Sequence, residues 1–120
     1  MKERSAQSTW RSVCPISSGL DILGDRWSLL IIRDLIEHTT RTYSQFTEAP
    51  EKISTNILAD RLRLLSDLGI IEHVEPDKAL RNNAYQLTTS GKALKPVLLS
   101  LGRWSHTYLS EYHPTMRSID

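Results

Sequence analysis

The residues of this 120-residue chain whose types and spacing suit recognition chemistry lie close together: Ser54, Thr55, Asn56, Ala59 and Arg63. At about 100° per residue, Asn56, Ala59, Asp60, Arg63 and Asp67 share one arc of a helix, with Thr55 at its start. Asparagine can bond adenine through two hydrogen bonds, and arginine can pair with guanine or with a phosphate. The arc is short and polar, as entry into a major groove about 12 Å wide requires. A plain surface helix has the same pattern and is the simpler alternative. Cys14 is the sole cysteine, so no internal disulfide is possible. Near a helix N-terminus the macrodipole favours its thiolate, the form that reacts with oxidants and electrophiles. Its other reading is a small buried hydrophobe. His38, His73, His106 and His113 are scattered without metal-ligand spacing. No glycine-rich nucleotide loop, catalytic triad spacing or paired-carboxylate motif is present. We therefore expect no metal, no cofactor and no enzymatic activity.

The helix that must carry the recognition residues runs from Ile53 to Gly69. Ser54 and Thr55 are good N-cap residues and Gly69 a good C′ residue. Ile57, Leu58, Leu62, Leu65 and Leu68 form the opposite, apolar arc. Upstream, Met1–Val13 reads as a polar arm. Cys14-Pro15 starts a first helix with a stripe of Ile16, Leu20 and Leu23, ended by Gly24. Asp25 caps a second helix, Arg26–Glu37, with Trp27, Leu30, Ile31 and Leu35 on its buried face. Arg26 and Arg33 lie off that face, as solvated or ion-paired side chains. Thr42 or Ser44 caps a short helix, Tyr43–Ala49, which Pro50 stops. Two short helices joined by a tight connection make a helix-turn-helix pattern.

Downstream, Ile70–Val74 and Ala84–Thr88 read as two antiparallel strands, with Tyr85 and Leu87 on one side. Their loop, Glu75–Asn83, contains Lys78 and Arg81, which can reach phosphate or the minor groove. A last long helix, capped within Thr88–Ser90, reaches to about Tyr112. Its stripe is Leu94, Val97, Leu98, Leu101, Trp104, Tyr108 and Leu109. Pro96 predicts a kink or a late start. A domain this small cannot easily bury so long a stripe. The stripe is expected to pack on a second subunit, on the first helix of its own chain, or on both. Residues 113–120 read as a tail.

Composition narrows the class. The length suits one domain, here 14–112. The net charge of +1 gives no global basic signal, so nucleic-acid binding must rest on local placement of charge. The polar N-terminus is not a signal peptide, and no apolar run is long enough to span a membrane. A reducing cytoplasm is expected.

The order of elements and several separated motifs resemble the HxlR-type winged helix-turn-helix transcriptional regulators. The matching pieces are Cys14-Pro15, Leu23-Gly24-Asp25-Arg26-Trp27, Ile53-Ser54, Leu58, Arg61-Leu62, Leu65 and Gly69-Ile70-Ile71. Tyr85-Gln86-Leu87-Thr88, Gly91, Leu94 and Trp104 complete the set. The resemblance implies a mainly α fold with a small β-hairpin, a winged helix-turn-helix dimerising through its first and last helices. It implies a cytoplasmic homodimer on double-stranded DNA with two half-sites. Ser54, Thr55, Asn56, Ala59 and Arg63 would lie in the major groove, with Arg41 on phosphate. Lys78, Arg81 and Asn83 would lie along the backbone or minor groove. The seam would hold Ile16, Leu20, Leu98, Leu101, Trp104 and Tyr108. Some members resemble switches that use a cysteine at the place of Cys14. The chain departs from the family pattern in having Thr42 before the aromatic of the third helix, His73 where an arginine is common, and a wing, EPDKALRNN, that is not strongly basic. The expected function is sequence-specific regulation, most simply repression by blocking polymerase. A winged module that binds protein instead of DNA is the second reading, kept open by Asp60, Glu75 and Asp77.

Overall fold

The computed structural model describes residues 10–77 and 83–119. Lys78 and Arg81 lie outside the described residues. The elements are α1 (Pro15–Leu23), α2 (Ser28–His38), β1 (Arg41–Thr42), α3 (Tyr43–Phe46), α4 (Thr55–Asp67), β2 (Ile71–His73), β3 (Ala84–Leu87), α5 (Thr89–Lys92) and α6 (Lys95–Leu109). The strands form an antiparallel sheet in the order β1-β3-β2. The hairpin is thus part of a three-stranded sheet. β1 is only two residues long, and its pairing with Ala84 and Tyr85 is tertiary, so no local pattern announces it.

The core gathers Ile31, Ile32 and Leu35 of α2, Phe46, Leu58, Leu62 and Leu65 of the helix-turn-helix, and Ile71, Tyr85 and Leu87 of the sheet. In β3 the alternation holds, with Tyr85 and Leu87 inward. α2 differs from expectation in register. It begins at Ser28, and its buried face is Ser28, Ile31, Ile32 and Leu35, while Trp27 and Leu30 are half-buried. Asp25 nevertheless does the capping. Its carboxylate accepts from the Trp27 and Ser28 backbone N–H groups at 2.9 and 3.0 Å and from the Ser28 hydroxyl at 2.7 Å. Those two amides are orphan donors at the helix start, and a carboxylate there also suits the macrodipole.

The last long helix is split. Thr88 caps α5 by accepting from Gly91 N–H, and α6 starts late, with Pro96 in its first turn. A proline fits there because its missing N–H would have had no helical partner. Two glycines are required by the path of the chain. Gly69 ends α4 at φ 71°, in the left-handed region. At Gly91 an added Cβ would stand 2.3 Å from the Ile70 carbonyl oxygen, so only glycine lets α5 lie against the start of β2.

Candidate nucleic-acid interface

The helix-turn-helix is assembled by local caps and then braced to the body. Thr42 and Gln45 form a reciprocal capping box at the start of α3. Ser54 caps α4, its hydroxyl accepting from Ile57 N–H at 3.4 Å. The Tyr43 hydroxyl donates to the Thr55 carbonyl at 3.0 Å, which ties α3 to the first turn of α4. Arg33 holds the connection between them. Its guanidinium donates to both Glu51 carboxylate oxygens, at 2.7 and 3.0 Å, and to Asp34 at 2.8 and 3.0 Å. The hydrogen bond from Arg33 is the main reason that the Glu51 carboxyl sits below its usual pKa, against a smaller opposing effect of burial. A second pairing joins α2 to α4, with Arg61 2.6 Å from Asp60 and 3.6 Å from Asp25. Burial opposes ionisation of Asp25, but hydrogen bonds from Ser28 and Trp27 and the Arg61 charge together hold its pKa below the usual value.

On this braced frame α4 turns one face outward. Ser54, Thr55, Asn56, Ala59 and Arg63 are all exposed, while Leu58, Leu62 and Leu65 are buried. Ile57, assigned to the apolar arc, is 39% exposed: it stands at the edge of the stripe near the helix start, where α4 has begun to clear the body. Arg41 is half-buried in β1 and donates from Nη1 to the Gln45 carbonyl at 3.0 Å. Asn83 requires a correction. Its side chain is buried and spent inside the hairpin, where Oδ1 accepts from Glu75 N–H at 3.1 Å and Nδ2 donates to the Glu75 carbonyl. It closes the base of the wing and is not available to DNA.

A second face is apolar. Ile16 and Leu20 of α1 and Leu101, Trp104 and Tyr108 of α6 are each more than half exposed. None of the fifteen residues of α6 is buried. The Trp104 and Tyr108 rings pack in a tilted pair, 5.8 Å between centroids and 43° between planes. Leu98, expected at the same seam, instead packs with Leu94 against the monomer core. It sits about a quarter-turn from the Leu101–Trp104–Tyr108 stripe. Val13 and Tyr112 extend the exposed face beyond the predicted residues, and Val97 belongs to the predicted stripe. Cys14 is exposed, a free thiol at the N-cap of α1, so it is not a core residue of this chain. Among the described residues, no helix is long and apolar enough to cross a membrane.

Residues 22–113 match the HxlR-like helix-turn-helix family. The chain belongs to this family. It is therefore a helix-turn-helix regulator that binds DNA. Over 100 residues it is 35% identical to the uncharacterized HTH-type transcriptional regulator sll1512 of Synechocystis, covering 82% of this chain and 73% of the relative. The HTH-type transcriptional regulator YodB of Bacillus subtilis is 33% identical over 99 residues, covering 81% and 87%. The reduced form of YodB superposes with a TM-score of 0.66 at 31% identity, over 81% of this chain and 95% of that one. A quinone-bound form matches equally, at 0.66 and 32%, over 80% and 100%. The reduced redox regulator HypR shares the fold, with a TM-score of 0.72 at 22% identity over 84% and 99%.

Proposed function

We propose that this protein acts as a homodimer on an operator with two half-sites, in the cytoplasm, where it blocks polymerase when bound near a promoter. One observation carries the reading. A helix capped by Ser54 and anchored to the body through Tyr43 and Arg61 leaves Thr55, Asn56, Ala59 and Arg63 uncovered. Two such helices about one DNA turn apart, roughly 34 Å, would meet successive major grooves. The exposed α1 and α6 residues supply the surface on which the copies pair. Asn56 and Thr55 take the base contacts, and Arg41, Lys78 and Arg81 the phosphates. Arg63 suits either role by type. No part of this scheme asks the protein to transform a substrate.

The exposed Cys14 sits beside the α1 end of the pairing face, so adding an electrophile to its sulfur would alter that face. The quinone-bound form of a relative makes an electrophilic signal the first to try.

Duplex affinity as a function of salt tests the proposal. A reader of DNA loses affinity steeply as salt rises, whereas a protein-binding module shows no duplex affinity at any salt. Asn56→Ala is expected to cost about 1–3 kcal/mol on the preferred duplex and to relax preference at one position. Unchanged binding and preference would remove Asn56 from the base contacts.

A further inference from the structure

Between α4 and the base of the wing lies an open cleft of about 670 Å³. Its floor is Tyr43, Leu62 and Tyr85. Ser44 of α3, Arg63 and Ser66 of α4 and His73 of β2 line it as well. Arg63 is the one charged side chain of this lining; Asp60 and Asp67, about one turn either side of it on α4, are not part of the lining. The neighbouring arginine is spent, since Arg61 is bound to Asp60 and Asp25. Arg63 has no ion-pair partner among the described residues. His73 stacks on Tyr85 at 4.3 Å, and its buried Nδ1 has no hydrogen-bond partner among the described residues. The cleft thus brings an arginine and two serines together beside two tyrosines, residue types that can receive an oxyanion.

Duplex geometry says which oxyanion. A phosphate ridge separates each major groove from the adjacent minor groove. A reading helix in one and a wing over the other must straddle that ridge, and this cleft, lined by α4, by the strands at the base of the wing and by α3, lies on that side of the reading helix. Arg63 lies two helical turns beyond Asn56, about 10 Å further along the axis. A helix that enters by its N-terminal turn carries Arg63 up to the ridge while Asn56 reaches the base edges. We propose that the cleft is a phosphate seat for the DNA backbone, with Arg63, Ser44 and Ser66 as its ligands, and that Arg63 does not read a base. Thr47 is not among them because its hydroxyl already donates to the Ser44 carbonyl at 2.6 Å. This inference rests on the DNA-binding reading, and free phosphate provides a probe that does not.

The experiment has two arms, both on the full chain. In the first, Arg63→Gln is compared with the parent on several duplexes across a salt series. We expect similar weakening on every duplex and a flatter dependence of log K on log salt, by about one. A change of preference at a single base pair with the slope unchanged would place Arg63 on a base and overturn the proposal. No change in either would overturn it as well. Arg63 is exposed, so a matched thermal melt is expected for the variant. Ser66→Ala gives a second check that needs no charge change: uniform weakening at unaltered slope is expected. In the second arm, inorganic phosphate is titrated into the parent while backbone amides are followed by NMR. Saturable shifts at Ser44, Arg63, Ser66 and His73, absent in Arg63→Gln, are expected. Shifts no larger than those from chloride at equal ionic strength would overturn the seat. If the parent binds no duplex at all, the DNA-binding reading fails, and the phosphate titration still decides the cleft.

Discussion

The reading head and the pair of helices α1 and α6 differ in what they cover. In the head, α2, α4 and the sheet bury Ile32, Leu35, Leu58, Leu62, Leu65 and Ile71 almost completely. Asp25 and Ser28, and Arg33 and Glu51, are spent on one another there. In α1 only Ile22 is buried, and in α6 nothing is, although both helices carry regular apolar stripes. The contrast teaches that the head is finished within one chain while the helical pair is not. Exposed Leu101, Trp104 and Tyr108 together form an apolar patch of the kind that marks an interface. A second copy of the same stripe is the simplest cover, since a two-fold interface needs only self-complementarity.

The sharpest way to break this contrast is to truncate one leucine in each region. Leu65→Ala removes a fully buried side chain, and a loss of about 2–5 kcal/mol of unfolding free energy is expected in denaturant melts. Leu101→Ala, at half exposure, should cost far less at dilutions where the chain is monomeric. Equal losses at both positions would show that α6 is as complete as the head. Next in size is a charge at the seam. With Leu101→Asp, sedimentation should show the monomer at concentrations where the parent is a dimer, with far-UV circular dichroism unchanged. A dimer that survives this change would move the interface away from α6.

The smallest effect is acid dependence, and it belongs to the head alone. The Glu51 carboxyl is held below the ordinary value of 4.5 and the Asp25 carboxyl below 3.8. A group with a depressed folded pKa contributes stability above its unfolded pKa and loses it as pH falls through the folded one. Melts should therefore be flat from pH 7 to about pH 5 and fall below pH 4.5. Glu51→Gln should lower stability at neutral pH and flatten the acid limb. An unaltered limb would mean that the clamp on Arg33 adds nothing to the head.

The same contrast explains what was legible in the residue pattern. The extent of α4 follows from Ser54 and Gly69, whose effects are local, and the structure places its ends there. The inward side of β3 follows from simple alternation. The late start of α6 follows from Pro96. What failed depended on partners far along the chain. β1 exists because Arg41 and Thr42 meet Tyr85 and Ala84. The buried face of α2 includes Ile32 in place of Leu30 because the side that turns inward is set by packing on β3 and α6, elements far along the chain. Asn83 is expected along DNA from the family pattern, but the Glu75 backbone eight residues away takes its side-chain amide. Leu98 looked like its stripe neighbours, yet it faces the core from a helix that otherwise faces outward. At the interface, periodicity identified the outward arc of α4, but the cleft beside it joins residues from α3, α4 and the sheet that no single helical or strand pattern connects.

The most direct test of the central claim is selection from random duplex DNA by the reduced protein at about 0.1 M salt, where phosphate contacts still count. Enrichment of an inverted repeat with half-sites about 10 bp apart is predicted, because the proposed dimer would join two finished heads through one shared face. Failure to enrich any sequence, from protein shown to be folded and dimeric, would contradict the account.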